Sequence, residues 1–172
     1  FEPVNRVIFK FNNVADRIIL EPAAKGYRKL PSPVQTGVGN FFSNLKLPLV
    51  IINQFLQGQF KNAASSTGRL LINTTVGVAG LIDVAEKVGL EEKEEDFGQT
   101  LATWGVGNGP YIILPIFGPS NLRDATGMFI TSATDPTNLY LIDQGEGEWI
   151  AFRTAGTAID QRSKIIEEVN TL

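Results

Sequence analysis

The sequence predicts an all-α protein. Apolar residues recur three and four apart over most of the chain, prolines and polar caps stand where such stretches begin, and glycines stand where they end. No convincing run alternates apolar and polar residues in the manner of a half-buried strand. About eight amphipathic helical segments account for the pattern, and 172 residues make one domain, 1–172, with a real core.

In chain order, Val4, Val7, Ile8, Phe11, Val14, Ala15 and Ile18 share one face of a first helix, opposite Asn5, Arg6, Asn12, Asn13, Asp16 and Arg17. Pro22 follows its end, ahead of a short basic piece. Ser32, Pro33 and Gln35 form a capping box for a second helix whose face is Val34, Val38, Phe41, Phe42 and Leu45. Pro48 starts a third helix, apolar nearly all round and stopped by Gly58; helix resumes with Phe60, Ala63, Ala64, Thr67, Leu70 and Leu71. Gly89 with Leu90 beside it fits a Schellman stop after a short helix. The acidic run Glu91–Asp96 then puts negative charge at the start of EDFGQTLATW, where a helix dipole favours it, and Gly105 closes that helix. Ser120 is the expected cap of a helix aligning Leu122, Ala125 and Phe129, which Asp135-Pro136 breaks. Residues 137–148 read as loop. A long last helix runs from Glu148 to Leu172 with a seam of Trp149, Phe152, Gly156, Ile159, Ser163 and Ile166.

Composition narrows the function. Charged residues are 19% of the chain, below the roughly one quarter usual in soluble domains, so part of the surface is expected to be apolar or neutral. A net charge of −3 and a pI near 5.0 argue against nucleic acid as a partner, which calls for a basic face. Charge is also uneven. Residues 1–46 hold seven basic side chains against three acidic ones, whereas residues 83–96 hold seven acidic against two basic. Residues 47–82 carry only Lys61 and Arg69, and residues 97–122 carry no charge.

The chain has neither cysteine nor histidine, which removes disulfides, thiol nucleophiles, the commonest general base and the commonest metal ligand. Ser65 and Ser66 have no histidine to activate them, so no catalytic residue is assigned. Gly105, Gly107 and Gly109 alternate after a helix, unlike a dinucleotide fingerprint, and Pro110-Tyr111 stands where a P-loop needs Lys-Ser or Lys-Thr; no cofactor site is assigned. Asp143, Glu146 and Glu148 lack calcium-loop spacing and read as a solvated loop, and no metal site is assigned. Asn73-Thr74-Thr75 matches a glycosylation acceptor but sits at a helix end, where its side chains are expected to bond backbone.

Glycine, proline and asparagine interrupt every apolar run, so no segment reads as a single membrane-crossing helix. Amphipathic helices with basic edges can instead lie in a membrane interface. From periodicity alone an ordinary globular core accounts for the same faces.

The motifs NRVIFKFNNVAD, PSPVQTGVGNFFSNLKLP, FLQGQFKNAASSTGRLLINTTVGVAGLIDVA and EDFGQTLATWGVGNGPYIILPIFGPSNLRDATG resemble, in that order, those of the MlaA (VacJ) family of Gram-negative outer-membrane lipoproteins. The resemblance covers about residues 4 to 127. It implies a helical ring lying in the plane of the outer membrane, mainly at its inner leaflet, around a central channel. Through that channel phospholipid mislocalised to the outer leaflet would leave towards the periplasm, with a trimeric porin and a soluble periplasmic phospholipid carrier as partners. It also implies a lipidated N-terminal cysteine, absent from this sequence. On this reading Asn40, Phe41, Phe42, Gly105, Gly107, Asn108, Gly109, Pro110, Tyr111, Arg123 and Asp124 are candidates for the lipid passage. GVGNGPYIILPIFGPS would be a rigid, bent wall presenting Ile112, Ile113, Leu114, Ile116 and Phe117 to lipid or neighbouring helices. Arg123 and Asp124 are expected to pair, and Tyr140, Trp149 and the last helix to lie on the periplasmic or porin side. A soluble helical scaffold that docks a protein, or a lipid-modifying enzyme, are the competing readings.

Overall fold

The computed structural model describes residues 1–166. Its first helix, α1 (Glu2–Ala15), does not stop before Pro22. It passes through a π-helical turn, Asp16–Leu20, into α2 (Glu21–Tyr27). Pro22 falls in the first turn of α2, where a missing N–H is tolerated. Asp16, in the π turn, meets Arg162 of the last helix at 2.8 Å.

The second and third predicted helices are one: α3 (Ser32–Leu56) contains Pro48. Leu47, Leu49 and Val50, on either side of the proline, are buried, so packing holds both halves in line despite the lost intrahelical bond. The capping box does not form either. Gln35 donates instead to the carbonyls of Arg28 and Leu30.

After the Gly58 stop the chain folds into α4 (Phe60–Thr75), which packs mainly on α3, then α5 (Val84–Lys87) and α6 (Phe97–Thr103). Three glycine stops form as expected: Gly58, Gly89 and Gly105 have positive φ, and each is bracketed by the paired backbone bonds of a Schellman turn, as in Gly89 to Glu86 and Leu90 to Ala85. Asp96 caps α6 by accepting from the Gln99 amide.

A small antiparallel hairpin follows, β1 (Tyr111–Leu114) and β2 (Gly118–Asn121), pairing Tyr111 with Asn121 and Leu114 with Gly118. It corrects the expectation of no sheet. Pro119 is tolerated because two-stranded pairing leaves an edge that needs no donor there. Asn121, not Ser120, caps α7 (Leu122–Thr134), accepting from the Asp124 amide. Residues 137–148 are not all loop: α8 (Pro136–Asp143) starts at the Asp-Pro pair, with Asp135 accepting from the Thr137 amide. The last helix, α9 (Glu148–Lys164), lies against α2 and α3, and the predicted continuation over 167–172 falls outside the described residues. At the α2–α9 contact the Tyr27 hydroxyl donates to Asp160 at 3.0 Å; burial, then the Asp160 bond and charge, push its pKa up to about 12.

Burial runs against the usual sorting. Among the described residues, more of the buried side chains are polar or charged than apolar, including Asn53, Gln54, Arg69, Asn73, Asp135 and Asp160. The predicted apolar face of α1 is exposed, with Val7 at 68%, and α1 buries no residue. Leu122 and Phe129, expected beside Ala125, also point outward, as do Trp149 and Phe152 of the α9 seam. Periodicity places these residues on one side of a helix but does not say what covers that side.

Candidate functional site

A half-open cleft of about 480 Å³ lies between α3, the acidic segment before α6, the hairpin tip, α7, α8 and α9. Leu47, Leu49, Val50, Phe117 and Met128 make its lining more apolar than polar, and Lys46, Asn53, Thr131 and Gln161 add polar groups. Arg153 of α9 reaches across the wall. Its guanidinium binds Asp135 at 2.6 Å and donates to the Asn138 side chain at 3.2 Å and the Leu45 carbonyl at 3.4 Å. One half-buried cation thereby joins α9 to α3 and to the start of α8.

The acidic segment is not merely a solvated turn. Glu92, Glu94, Glu95 and Asp96 line the cleft, and both Glu95 oxygens are held, by Gln57 at 3.0 Å and Gln59 at 3.2 Å. Gln57 also donates to Thr100, whose hydroxyl donates to the buried Asn53 at 2.8 Å. These amides fix the acidic segment to the α3–α4 turn, so its charge faces a defined space.

The lipid-passage candidates fall in two groups, and none lines this cleft; of the predicted bent wall, Phe117 does. Asn108, Arg123 and Asp124 come together with Asn121: Arg123 binds Asp124 at 2.7 Å, as expected, and donates to the Asn108 side chain at 2.6 Å. Asn121 donates to Asp124 at 2.7 Å, and the backbone bonds Leu122 to Pro110 and Arg123 to Asn108 complete the seam. Gly109 needs to be glycine: its φ is +68°, and a Cβ would lie 3.0 Å from that of Leu122. Gly107 has open space around it. Gly105 ends α6, and Tyr111 begins β1 and borders a second, shallower groove of about 530 Å³ with Phe9, Lys10 and Ile113. In the other group Asn40 donates to the Leu81 carbonyl at 3.2 Å, and Phe41 and Phe42 stack tilted at 5.9 Å. Phe42 is buried against Gly156, where a Cβ would come within 2.5 Å of its ring. Asn40 thus ties α3 to the segment between α4 and α5, and Phe42 packs α3 on α9.

Apart from Phe117, the cleft residues escaped the sequence because they come from distant segments. One signal was available: Arg153 is the one basic residue between Glu148 and Asp160, beside the apolar α9 seam, and such a cation calls for a carboxylate partner. Among the described residues, no group of three or more Asp or Glu is placed to hold a metal ion.

The family model for the MlaA lipoprotein matches residues 1–172. The chain belongs to the MlaA lipoprotein family. A protein of Rickettsia typhi is 45% identical over 142 residues, covering 81% of this chain and 57% of its own length. The Haemophilus influenzae intermembrane phospholipid transport system lipoprotein MlaA is 36% identical over 176 residues, covering 99% of this chain and 69% of that protein. The chain thus spans little more than half the length of the rickettsial relative. A solved structure described as the structural basis for maintenance of bacterial outer membrane lipid asymmetry superposes with a TM-score of 0.78 at 35% identity, over 97% of this chain and 84% of that one. The MlaA likeness extends through α8 and α9, past the motifs that carry the resemblance in the sequence.

Proposed function

We propose that the cleft walled by α3 and α6–α9 is a passage through which phospholipid is moved between membrane leaflet and periplasm, without chemistry on the lipid. The observation that carries this reading is an amphipathic cleft in a molecule that exposes many large apolar side chains, among them Val7, Phe55, Phe60, Leu71, Phe129 and Phe152. Two acyl chains hold about thirty methylenes, so exposing them to water would cost on the order of 25 kcal/mol as an upper bound, at ~0.8 kcal/mol each. The apolar wall of Leu47, Val50 and Met128 suits the tails. Charged headgroups are costly in hydrocarbon by a few kcal/mol or more, and the polar side of the cleft, with Lys46, Asn53 and Glu94, offers them partners. The relatives named for intermembrane phospholipid transport, and the structure described for outer membrane lipid asymmetry, support the direction of the assignment.

The exposed faces of α1, α7 and α9 support a protein set into the interface of the outer membrane as a helical ring. Among the described residues no helix is long and apolar enough to cross a membrane. The reading carries with it a porin that holds the ring in place and a soluble carrier that takes the lipid, with Tyr140 and Trp149 exposed for such contacts. It keeps the 105–111 loop, Arg123 and Asp124 as the root of the passage wall, and Asn40, Phe41 and Phe42 as its packed backing.

Photocrosslinking of labelled phospholipid in native outer membrane tests the reading. Probes at Val50, Thr131 and Thr157 are expected to capture lipid, while a probe at Leu71, on the exposed side of α4, captures bulk lipid only. Absence of lipid adducts from all three cleft positions would overturn the passage.

A further inference from the structure

Among the described residues no strand lies beside the outer edge of β1, yet its backbone groups are partnered. Two asparagines of α1 bind them. Asn5 donates to the Tyr111 carbonyl at 3.2 Å and accepts from the Ile113 amide at 3.0 Å. Asn12, two helical turns on, donates to the Leu114 carbonyl at 2.9 Å and accepts from the Ile116 amide at 2.8 Å. Each carboxamide thus presents one donor and one acceptor to the strand, the same pair a neighbouring backbone would offer. A spacing of seven residues returns both side chains to one face of α1.

We propose that Asn5 and Asn12 are positioning residues: they latch the β1–β2 hairpin to α1 and so hold Phe117 at the wall of the cleft. This rests on the passage proposed above. Three observations make the latch more than incidental packing. Phe117, at the hairpin tip, lines the cleft. Ile116 beside it has φ +71°, a conformation that a β-branched residue keeps only when its surroundings impose it, and its amide is the one that Asn12 holds. The root of the hairpin is tied separately, through Asn108, Arg123 and Asn121, to α7. The hairpin is therefore fastened at its root to a wall of the cleft and along its edge to a helix whose apolar face lies open. A shift of α1 against the rest of the molecule would be passed to Phe117 through two carboxamides, without any change in the packed core.

The test uses the full-length protein with Asn12→Ala, with Asn5→Ala and Asn12→Ala together, and with Asn12→Asp. Amide hydrogen exchange is read at Ile113 and Ile116, with the buried Ala85 amide as a reference. Phospholipid in the outer leaflet is read in cells. Removing a carboxamide is expected to speed exchange of its amide about tenfold, the loss of one net hydrogen bond, and to leave Ala85 unchanged. Transport is expected to fall at unchanged protein level, most in the double variant. Asn12→Asp keeps the acceptor for Ile116 and loses the donor to Leu114, so it should hold slow exchange at Ile116 and restore part of the transport. Unaccelerated exchange in the double variant would show that no latch exists. Fast exchange with wild-type transport would show that the latch does not position the passage. If the wild-type protein itself leaves outer-leaflet phospholipid as high as in cells lacking it, the passage falls, and the exchange rates judge the latch separately.

Discussion

The Arg69 corner and the β1–β2 hairpin are both held by polar side chains, but in opposite surroundings. Arg69 is 3% exposed at its side chain; it binds Asp83 at 2.7 Å and Glu86 at 3.3 Å and donates to the Leu90 carbonyl. Asn73 closes the group by donating to Asp83 at 2.9 Å and accepting from the Ala85 amide at 2.9 Å. Asn73 bonds backbone as expected, though not at its own helix end but at the start of α5, and its burial leaves no room for a glycan. Burial pushes the Asp83 carboxyl up, but bonds from Asn73, the Glu86 amide and Arg69, with the charge of Arg69, outweigh it and hold the carboxyl below its ordinary value. At the hairpin, by contrast, the bonds lie near solvent and the tip residues Ile116 and Phe117 are exposed. Breaking a buried pair strands a charge, whereas breaking an exposed amide bond lets water replace it. One region is built to stay shut and the other to open locally.

The largest expected effect is at the closed region. Asp83→Ala leaves Arg69 buried without its nearest carboxylate and should cost about 3–5 kcal/mol in denaturant unfolding. A stability unchanged within error would show that Arg69 is hydrated. Next is Gly127→Val at the α6–α7 crossing, where a Cβ would meet the Gly98 backbone nitrogen at 2.4 Å. Overpacking there should cost about 1–3 kcal/mol or more and separate the two helices. Acid should act on the same closed region. Because the folded Asp83 value lies below the unfolded one, its stabilisation is present above the ordinary carboxylate range near pH 4 and is lost as pH falls through the folded value. Asp83→Asn should flatten that part of the acid titration of stability. At the hairpin, Asn12→Ala should cost only about 1 kcal/mol of global stability while changing exchange at Ile116. The smallest effect on folding is expected for Phe129→Ser on the open face of α7, within about 0.5 kcal/mol, with weaker association with detergent or lipid as its readout.

The glycine stops of helices were more legible than their starts, where neither Ser32 nor Ser120 caps as expected. Gly58, Gly89 and Gly105 stop helices because a residue with positive φ is required where the backbone turns, and glycine adopts it without strain. Asp96 was legible only as the end of an acidic run at a helix start; its cap on the Gln99 amide was not read. Pro48 was misread because whether a proline ends a helix or sits inside one depends on whether Leu47, Leu49 and Val50 find partners across the molecule. The hairpin was missed because Tyr111–Leu114 has no alternation, and its outer edge is satisfied by asparagines more than a hundred positions away. Of the candidate site, the Arg123–Asp124 pair was readable from adjacency. The cleft was not, since Lys46, Glu94, Asp135 and Arg153 reach it from four separate segments.

By itself the sequence determined a helical chain with an uneven charge, no histidine or cysteine, and amphipathic faces, because these follow from residue identity and from periods of a few residues. It also carried the ordered motifs that mark the MlaA family. Only the tertiary structure decided which faces stay open, which polar groups are shut inside, and where a cleft is left between helices. Those outcomes depend on the packing of segments far apart in the chain, and no local pattern encodes which surface will meet which.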